Sequence, residues 1–373
     1  AFWMILSAFL GMSTIFSEAV LAQMYREEKN GELVGGPAYY IRNGLGSKAL
    51  AAIMAVICVI ALGVVGIMVQ SSAVVTSLST SFNLNGTWVT VGLLAAVGMI
   101  LTGGMSRIAS FTEKVVPVMA FAYILGSIIL IVINIGTFLP ALRMIVVGAF
   151  SPQAIGGGVL GITVQETIRF GLARGLFSNE AGMGSTPHSH AVAKTDHPAE
   201  QGFIAMIGVF ISTFMICLST VMVNLVSGSY NAAIPAAEME KTATLMTQNG
   251  FIQGFGSLGG AFLSVSLTAF ALTTIVGWYF FAESNVKYLA GDKKIVVSSF
   301  KVISLGFLVV GTLIDPTVIW LLADLFMGLM ALPNIIALVV LAPLVKQVLH
   351  HYDESKKSGR MTWPDLDSLK RKV

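Results

Sequence analysis

Eight stretches of roughly 20 or more mostly apolar residues recur along this chain, separated by short segments that hold nearly all of its charge. In lipid every backbone N–H and C=O must be bonded within its own segment or in a closed barrel. Runs of this length therefore confine the chain to a bundle of membrane-spanning helices. Composition agrees: charged residues make up 11% of the chain against about 25% in soluble domains, and the mean hydropathy is +0.82. The runs predict helices over Ala1–Ala22, Lys48–Phe82, Thr87–Gly103, Val115–Thr137, Gly202–Ser227, Phe251–Ala282, Ile295–Ile314 and Thr317–Lys346. The fold class read from them is an all-α polytopic membrane protein. Cys58 and Cys217 each lie alone in an apolar run, so neither a disulfide framework nor a zinc site is expected. A net charge of +3 gives no support for nucleic-acid binding, and no phosphate-binding Walker motif points to ATP.

A ninth segment, from Gly158 to about Ser185, is far less apolar. If the first helix runs inward, the cytoplasmic loops receive Arg26, Lys29, Arg42, Lys48, Arg107, Lys114, Lys194, Lys287, Lys293, Lys294 and Lys301, and the tail adds Lys346 to Lys372. The opposite face receives only Arg143 and Lys241. Positive loops stay in the cytoplasm, and this asymmetry survives only if the ninth segment also crosses. Charge thus requires a crossing where hydropathy barely registers one.

That crossing cannot be an ordinary helix. Glu166, Arg169, Arg174 and Glu180 would each cost about 2.5–3.5 kcal/mol at the centre of a lipid-facing helix, so they face protein or water. Gly175, Gly182 and Gly184 weaken helix propagation and Pro187 removes a donor. Irregular backbone at membrane depth persists only where it is buried in protein or lines a cavity, and secondary transporters use such breaks to present peptide groups to substrate and ions. The expected site is therefore a broken helix near Asn179. A re-entrant loop on the outer surface is the plain alternative.

The segment Phe177-Ser178-Asn179-Glu180-Ala181-Gly182-Met183-Gly184-Ser185-Thr186-Pro187, with His190-Ala191 and Ala193–Pro198 after it, resembles the signature of the alanine or glycine:cation symporter family. Gly35-Gly36-Pro37-Ala38-Tyr39-Tyr40-Ile41, Thr273–Trp278, Leu322-Ala323-Asp324 and Gly328–Asn334 match as well. The resemblance implies a leucine-transporter-like core of two inverted five-helix repeats. On that pattern the first helix is core helix two and the broken one core helix six. The family's extra N-terminal helix and core helix one, which carries a Gly-Thr-Gly-Asn-like break, are not found in the sequence. It further implies sodium-driven import of a small neutral amino acid, alanine or glycine, in a bacterial cell (inner) membrane. Residues 1–346 would form the transporter core and 347–373 a cytoplasmic tail, with a monomer expected.

Thr274 and Trp278 lie four apart and share a helix face, where a hydroxyl could bind an ion or an amino-acid group and an indole could wall a small pocket. By the resemblance Thr273, Thr274 and the carbonyl of Phe270 are sodium-ligand candidates, in keeping with the preference of hard cations for oxygen. Threonines bonded back to their own helix are the plain alternative. Gly66 and Gln70 are also four apart, the first leaving space and the second offering a donor and an acceptor. Helix packing is their other reading, and Ile67 stands where the family often has asparagine. Asn179, Glu180 and Gly182 lie at the break, with Phe177 as a gate. Glu180 could instead pair with Arg174 or Arg169, and Phe177 could simply pack. Asp324, deep in the last helix, is expected to pair with an arginine of the broken helix or relay a proton. Glu18 and Glu283 are expected to snorkel to water near helix ends. His188, His190, Asp196 and His197 read as an ordinary polar loop rather than a metal cluster, and Glu238 and Glu240 as a solvated outer loop. Two other functions remain open: an amino-acid-binding sensor or channel, and an intramembrane hydrolase using Ser185 with His188 or His190.

Overall fold

The computed structural model describes the chain outside residues 30, 152–163, 232–235 and 371–373; the side chains of 104–109, 236–241 and 370 also fall outside that set. The start of the broken crossing at Gly158 and the side chains of Arg107, Glu238, Glu240 and Lys241 therefore lie outside the described residues.

The described chain is almost entirely helical. Its helices are α1 (Phe2–Met24), α2 (Pro37–Gly44), α3 (Lys48–Phe82), α4 (Gly86–Thr102), α5 (Gly104–Ile133), α6 (Phe138–Phe150), α7 (Val164–Asn179), α8 (Pro187–Val192), α9 (Pro198–Val226), α10 (Ala236–Phe255), α11 (Ser257–Ala290), α12 (Lys294–Gly311), α13 (Pro316–Lys357) and α14 (Leu366–Lys370). Seven of the described helices are long and apolar enough to span a bilayer, and α4 is a shorter apolar helix. Large apolar side chains stay exposed on their outer faces, among them Phe9, Trp88, Phe121 and Val339. A soluble surface seldom gathers so much apolar area; with lipid as solvent it is the expected finish.

Several elements differ from the sequence reading: α6 is not among the expected helices, α10 begins at Ala236 where a solvated outer loop is expected, α5 begins at Gly104 rather than Val115, and α11 runs on to Ala290. The run Phe251–Ala282 is cut in two, because Gly256 takes φ +64° and turns α10 sharply into α11. Hydropathy is continuous across that corner and cannot register it. The last helix continues past Lys346 to Lys357, since its polar end gains stability from its own hydrogen bonds once outside the apolar run. Between α1 and α2 an antiparallel hairpin, β1 (Glu27–Lys29) with β2 (Glu32–Val34), interrupts the all-α pattern.

Helix contact in lipid gains little from apolar burial and depends on close approach of small residues. The α1–α7 seam shows this. Gly171 and Gly175, one turn apart, press against Trp3 and Ser7: a Cβ on Gly171 would lie 2.5 Å from Trp3 Cβ, and one on Gly175 would lie 2.2 Å from Ser7 Oγ. Gly175 is thus a packing point inside an intact helix, not the site of the break. On another face α1 lays Ala8, Ile15 and Ala19 into an apolar cluster with Ala205 and Val209 of α9. A second group forms as α3 packs on α11, α12 and α13, and α4 on α3 and α12. Helix α13 also packs on α1, α7 and α9 and so joins the two groups.

Candidate functional site

Helix α7 ends at Asn179, and the chain then leaves helical geometry. Glu180 takes φ +58°, and Gly182 and Gly184 take φ +87°. Thr186 ends the turn and Pro187, whose missing N–H is no loss at a first helical position, opens α8. Backbone polar groups turned out of a helix inside an apolar bundle need partners, and α1 supplies them. Glu18, wholly buried, accepts the Gly182 N–H (2.9 Å) through Oε2 and the Gly184 N–H (2.9 Å) through Oε1. Asn334 of α13 donates through Nδ2 to Glu18 Oε1 (2.6 Å) and to the Gly182 carbonyl (2.9 Å), and the Tyr40 hydroxyl donates to Asn334 Oδ1. This corrects the sequence expectation for Glu18. It does not snorkel to water; it is the anchor of the break.

The exit from the break is packed as closely. His188, buried, holds the Ser185 carbonyl with Nδ1 (2.6 Å) and accepts from Asn285 Nδ2 (2.8 Å) at Nε2, stacked on Phe281. A Cβ on Gly36 would fall 2.5 Å from the His188 ring, and one on Gly184 would meet Met54, Asn334 and Pro37. The Gly35–Ile41 and Gly328–Asn334 motifs therefore converge on the turn that follows Asn179. The histidine segment is not a solvated loop: His188 and His197 are buried, and His190 Nδ1 meets Gln201 Nε2 at 2.8 Å. His197 Nδ1 accepts the Ala199 N–H as the cap of α9, which leaves Nε2–H to donate to His351 Nδ1 at 3.1 Å. Burial and the neighbouring His351 lower the His197 pKa to about 4.

Of the candidate binding residues, four come together. Glu180 Oε1 accepts the Trp278 indole N–H at 2.8 Å while Oε2 accepts from Ser185 Oγ. Gly66 lies against the same indole, where a Cβ would sit 2.4 Å from Cε3. Phe177 meets it edge-on, with centroids 5.5 Å apart and planes at 83°, and on its other side reaches Trp320 at 4.9 Å. Among the described residues Glu180 therefore pairs with no arginine. Arg174 pairs with Asp324 at 2.8 Å, with its guanidinium over the Trp320 ring, and Glu283 pairs with Lys287 at 2.9 Å. Next to Trp320 a small cavity of about 60 Å3 is lined by Ser72, Thr76 and Thr244.

The other candidates lie apart from this cluster. Asn179 turns the opposite way from Glu180: its Oδ1 caps the Ala181 N–H (3.0 Å), its Nδ2 donates to Thr213 of α9 (3.3 Å), and it lines a hollow of about 220 Å3 with Ser7, Leu176 and Ala181. Gly182 is engaged by Glu18 and Asn334. Gln70, half-buried, makes no hydrogen bond among the described residues, and Ile67 packs in an apolar cluster with Ile275 and Tyr279. The Thr273 and Thr274 hydroxyls both donate to the Phe270 carbonyl, at 2.8 and 2.9 Å. That is the back-bonded arrangement, and it gathers three oxygens in one place.

Two widened helical turns flank the break, Ala61–Gly66 in α3 beside Trp278 and Phe210–Cys217 in α9 beside Asn179 and Ser178. Such turns are frequent at functional sites. Sequence reasoning missed them, along with Glu18, Asn334 and Asn285. Tyr40, Asn334 and the Gly36-Pro37 step did stand inside quoted motifs, which was the available signal.

The chain matches the model of the sodium:alanine symporter family over residues 1–365. It is 37% identical to an uncharacterized transporter of Haemophilus influenzae over 376 residues, covering 100% of this chain and 77% of that protein. It is 34% identical to the sodium/alanine symporter AgcS of Methanococcus maripaludis over 363 residues, 96% of this chain and 78% of the relative. The probable sodium/glutamine symporter GlnT of Bacillus subtilis is 35% identical over 359 residues, 96% of this chain and 73% of the relative. This protein belongs to the sodium:alanine symporter family.

Proposed function

We propose that the protein imports a small neutral amino acid, alanine or glycine, together with sodium, by alternating access. The observation that carries this reading is the turned backbone from Glu180 to Thr186, buried in the bundle, anchored by Glu18 and Asn334, and bordered by Phe177 and Trp278. A break anchored by other helices as well as by its own turn hydrogen bonds keeps irregular backbone at membrane depth, where secondary transporters present peptide groups to substrate.

Of the expected set of Gly66, Gln70, Phe177, Asn179, Glu180, Gly182, Thr274 and Trp278, the side chains bordering substrate would be Phe177 and Trp278, with Gly66 behind the indole. Glu180 would act through Trp278, and Asn179 and Gly182 are engaged by Thr213, Glu18 and Asn334. Gly66 and Trp278 border the cramped side, which favours a small side chain, and Gln70 brings an uncommitted amide. For sodium the set would be the Phe270 carbonyl with the Thr273 and Thr274 hydroxyls. Turning those hydroxyls away from the carbonyl frees all three oxygens for a cation. Helices α1, α7 and α9 pack on one another and α3, α4, α11 and α12 on one another, with α13 touching both sets, an arrangement in keeping with rocking of one set against the other. It is also in keeping with a leucine-transporter-like repeat in residues 1–346. We place the protein in the cell membrane as a monomer, with residues 347–373 as a cytoplasmic tail.

Binding of labelled alanine to the detergent-purified full-length protein tests the reading without a membrane. Replacing potassium by sodium should raise the affinity, with glycine competing. Equal binding in both salts would remove sodium from the site.

A further inference from the structure

We propose, on the basis of the transport reading above, that Glu180 is a positioning residue: it pins the Trp278 indole and so sets the largest side chain the site accepts. Both carboxylate oxygens are engaged within the protein, Oε1 by Trp278 Nε1–H at 2.8 Å and Oε2 by Ser185 Oγ–H. The indole has little freedom elsewhere. Its six-membered ring rests on the backbone at Gly66, where a Cβ would fall 2.4 and 2.6 Å from Cε3 and Cζ3, and Phe177 meets it edge-on at 5.5 Å. Only the Nε1 edge is held by a bond that a side chain could release.

The backbone supports the same role. Glu180 takes φ +58°, a region in which glycine or asparagine sits with less strain. A glutamate there is explained by what its side chain reaches, across to α11 and forward to Ser185. One relative is named a sodium/alanine symporter and another a probable sodium/glutamine symporter, and the side chains of alanine and glutamine differ in size. A pinned indole is a direct way to hold that limit at the small end.

The test uses the full-length protein in proteoliposomes, with the ratio of kcat/KM for glutamine to that for alanine as readout. Glu180→Ala frees the indole and should raise the ratio about tenfold, the scale on which an apolar wall discriminates side-chain size. Glu180→Asp keeps the charge but falls a methylene short and should move it the same way. Glu180→Gln retains an oxygen for Nε1–H and an amide for Ser185 and should leave the ratio near that of the natural protein. In a Trp278→Phe background Glu180→Ala should add nothing further. If Glu180→Ala raises the KM for alanine and glutamine equally, or acts in full on Trp278→Phe, the carboxylate contacts substrate and the proposal is overturned. Fluorine NMR of 5-fluorotryptophan-labelled protein reads the pin without transport. The resonance lost in Trp278→Phe should shift in Glu180→Ala and Glu180→Asp but not in Glu180→Gln, and an unmoved resonance overturns the pin. A natural protein that accumulates no amino acid refutes the transport reading and the size limit, while the fluorine spectrum still decides whether Glu180 holds the indole.

Discussion

Replacing Glu18 should show that the break is held open from outside itself. Its carboxylate accepts from Gly182 N–H, Gly184 N–H and Asn334 Nδ2, and the residue is wholly buried. Glu18→Leu fills the space without an acceptor and leaves both glycine N–H groups unpaired. At about 1–3 kcal/mol for each buried unsatisfied donor, the loss is about 2–6 kcal/mol. Asn334 retains the Gly182 carbonyl and Tyr40, so its contribution is not added. Glu18→Gln keeps one oxygen and should lose roughly half as much. Thermal unfolding of the purified full-length protein in detergent measures the order of these effects. At about 1 °C per kcal/mol for a chain of this length, the Leu variant should melt at least about 2 °C below the natural protein, with Gln between them. Leu melting level with the natural protein, or Gln melting below Leu, would refute the capping role. Uptake should fall in the same order, because a turn without its anchor no longer presents a fixed set of peptide groups.

The α1–α7 seam predicts a difference between neighbouring glycines. Gly171→Ala meets Trp3 Cβ and the α1 backbone, which cannot turn aside, and should cost about 1–3 kcal/mol; Gly175→Ala meets chiefly a Ser7 hydroxyl that can rotate and should cost less in the same melt. Arg174 and Asp324 should be coupled by roughly 0.5–3 kcal/mol in a double-mutant cycle on thermal stability, and additive single losses would show that their 2.8 Å contact carries no energy. His197 gives a pH dependence: the unfolded chain takes up a proton near pH 6.5, while the folded protein resists until about pH 4. Stability should therefore decline as pH falls between those values and gain nothing from this group above them. His197→Asn, which can still cap α9, should flatten the decline, and an equal decline in both proteins would assign it to other groups.

The sequence revealed most of what local chemistry controls. Apolar runs located the long helices but not α6 or the start of α10, and the break fell between Asn179 and Pro187 because glycine and proline set backbone geometry wherever they occur. What stayed hidden depended on partners remote in the chain. Glu18 looked like a charge near a helix end, since its three donors lie on residues 182, 184 and 334. Asn179 and Glu180 are adjacent yet face opposite helices, and that divergence follows from the left-handed turn at Glu180, which no side-chain pattern announces. Gly175 read as a helix breaker because glycine is poor in helices, yet a close neighbour at Ser7 gives it a packing role. Thr273 and Thr274 carried a coordination pattern and a packing pattern at once, and the back-bonded hydroxyls belong to the second.

The central claim is that this buried, anchored break serves sodium-driven uptake of a small amino acid. Accumulation of labelled alanine by the full-length protein in proteoliposomes tests it most directly. Uptake above equilibrium under an inward sodium gradient, absent under a matched potassium gradient, is the predicted result. Verified, folded protein that accumulates nothing, or accumulates equally in both salts, would contradict the account.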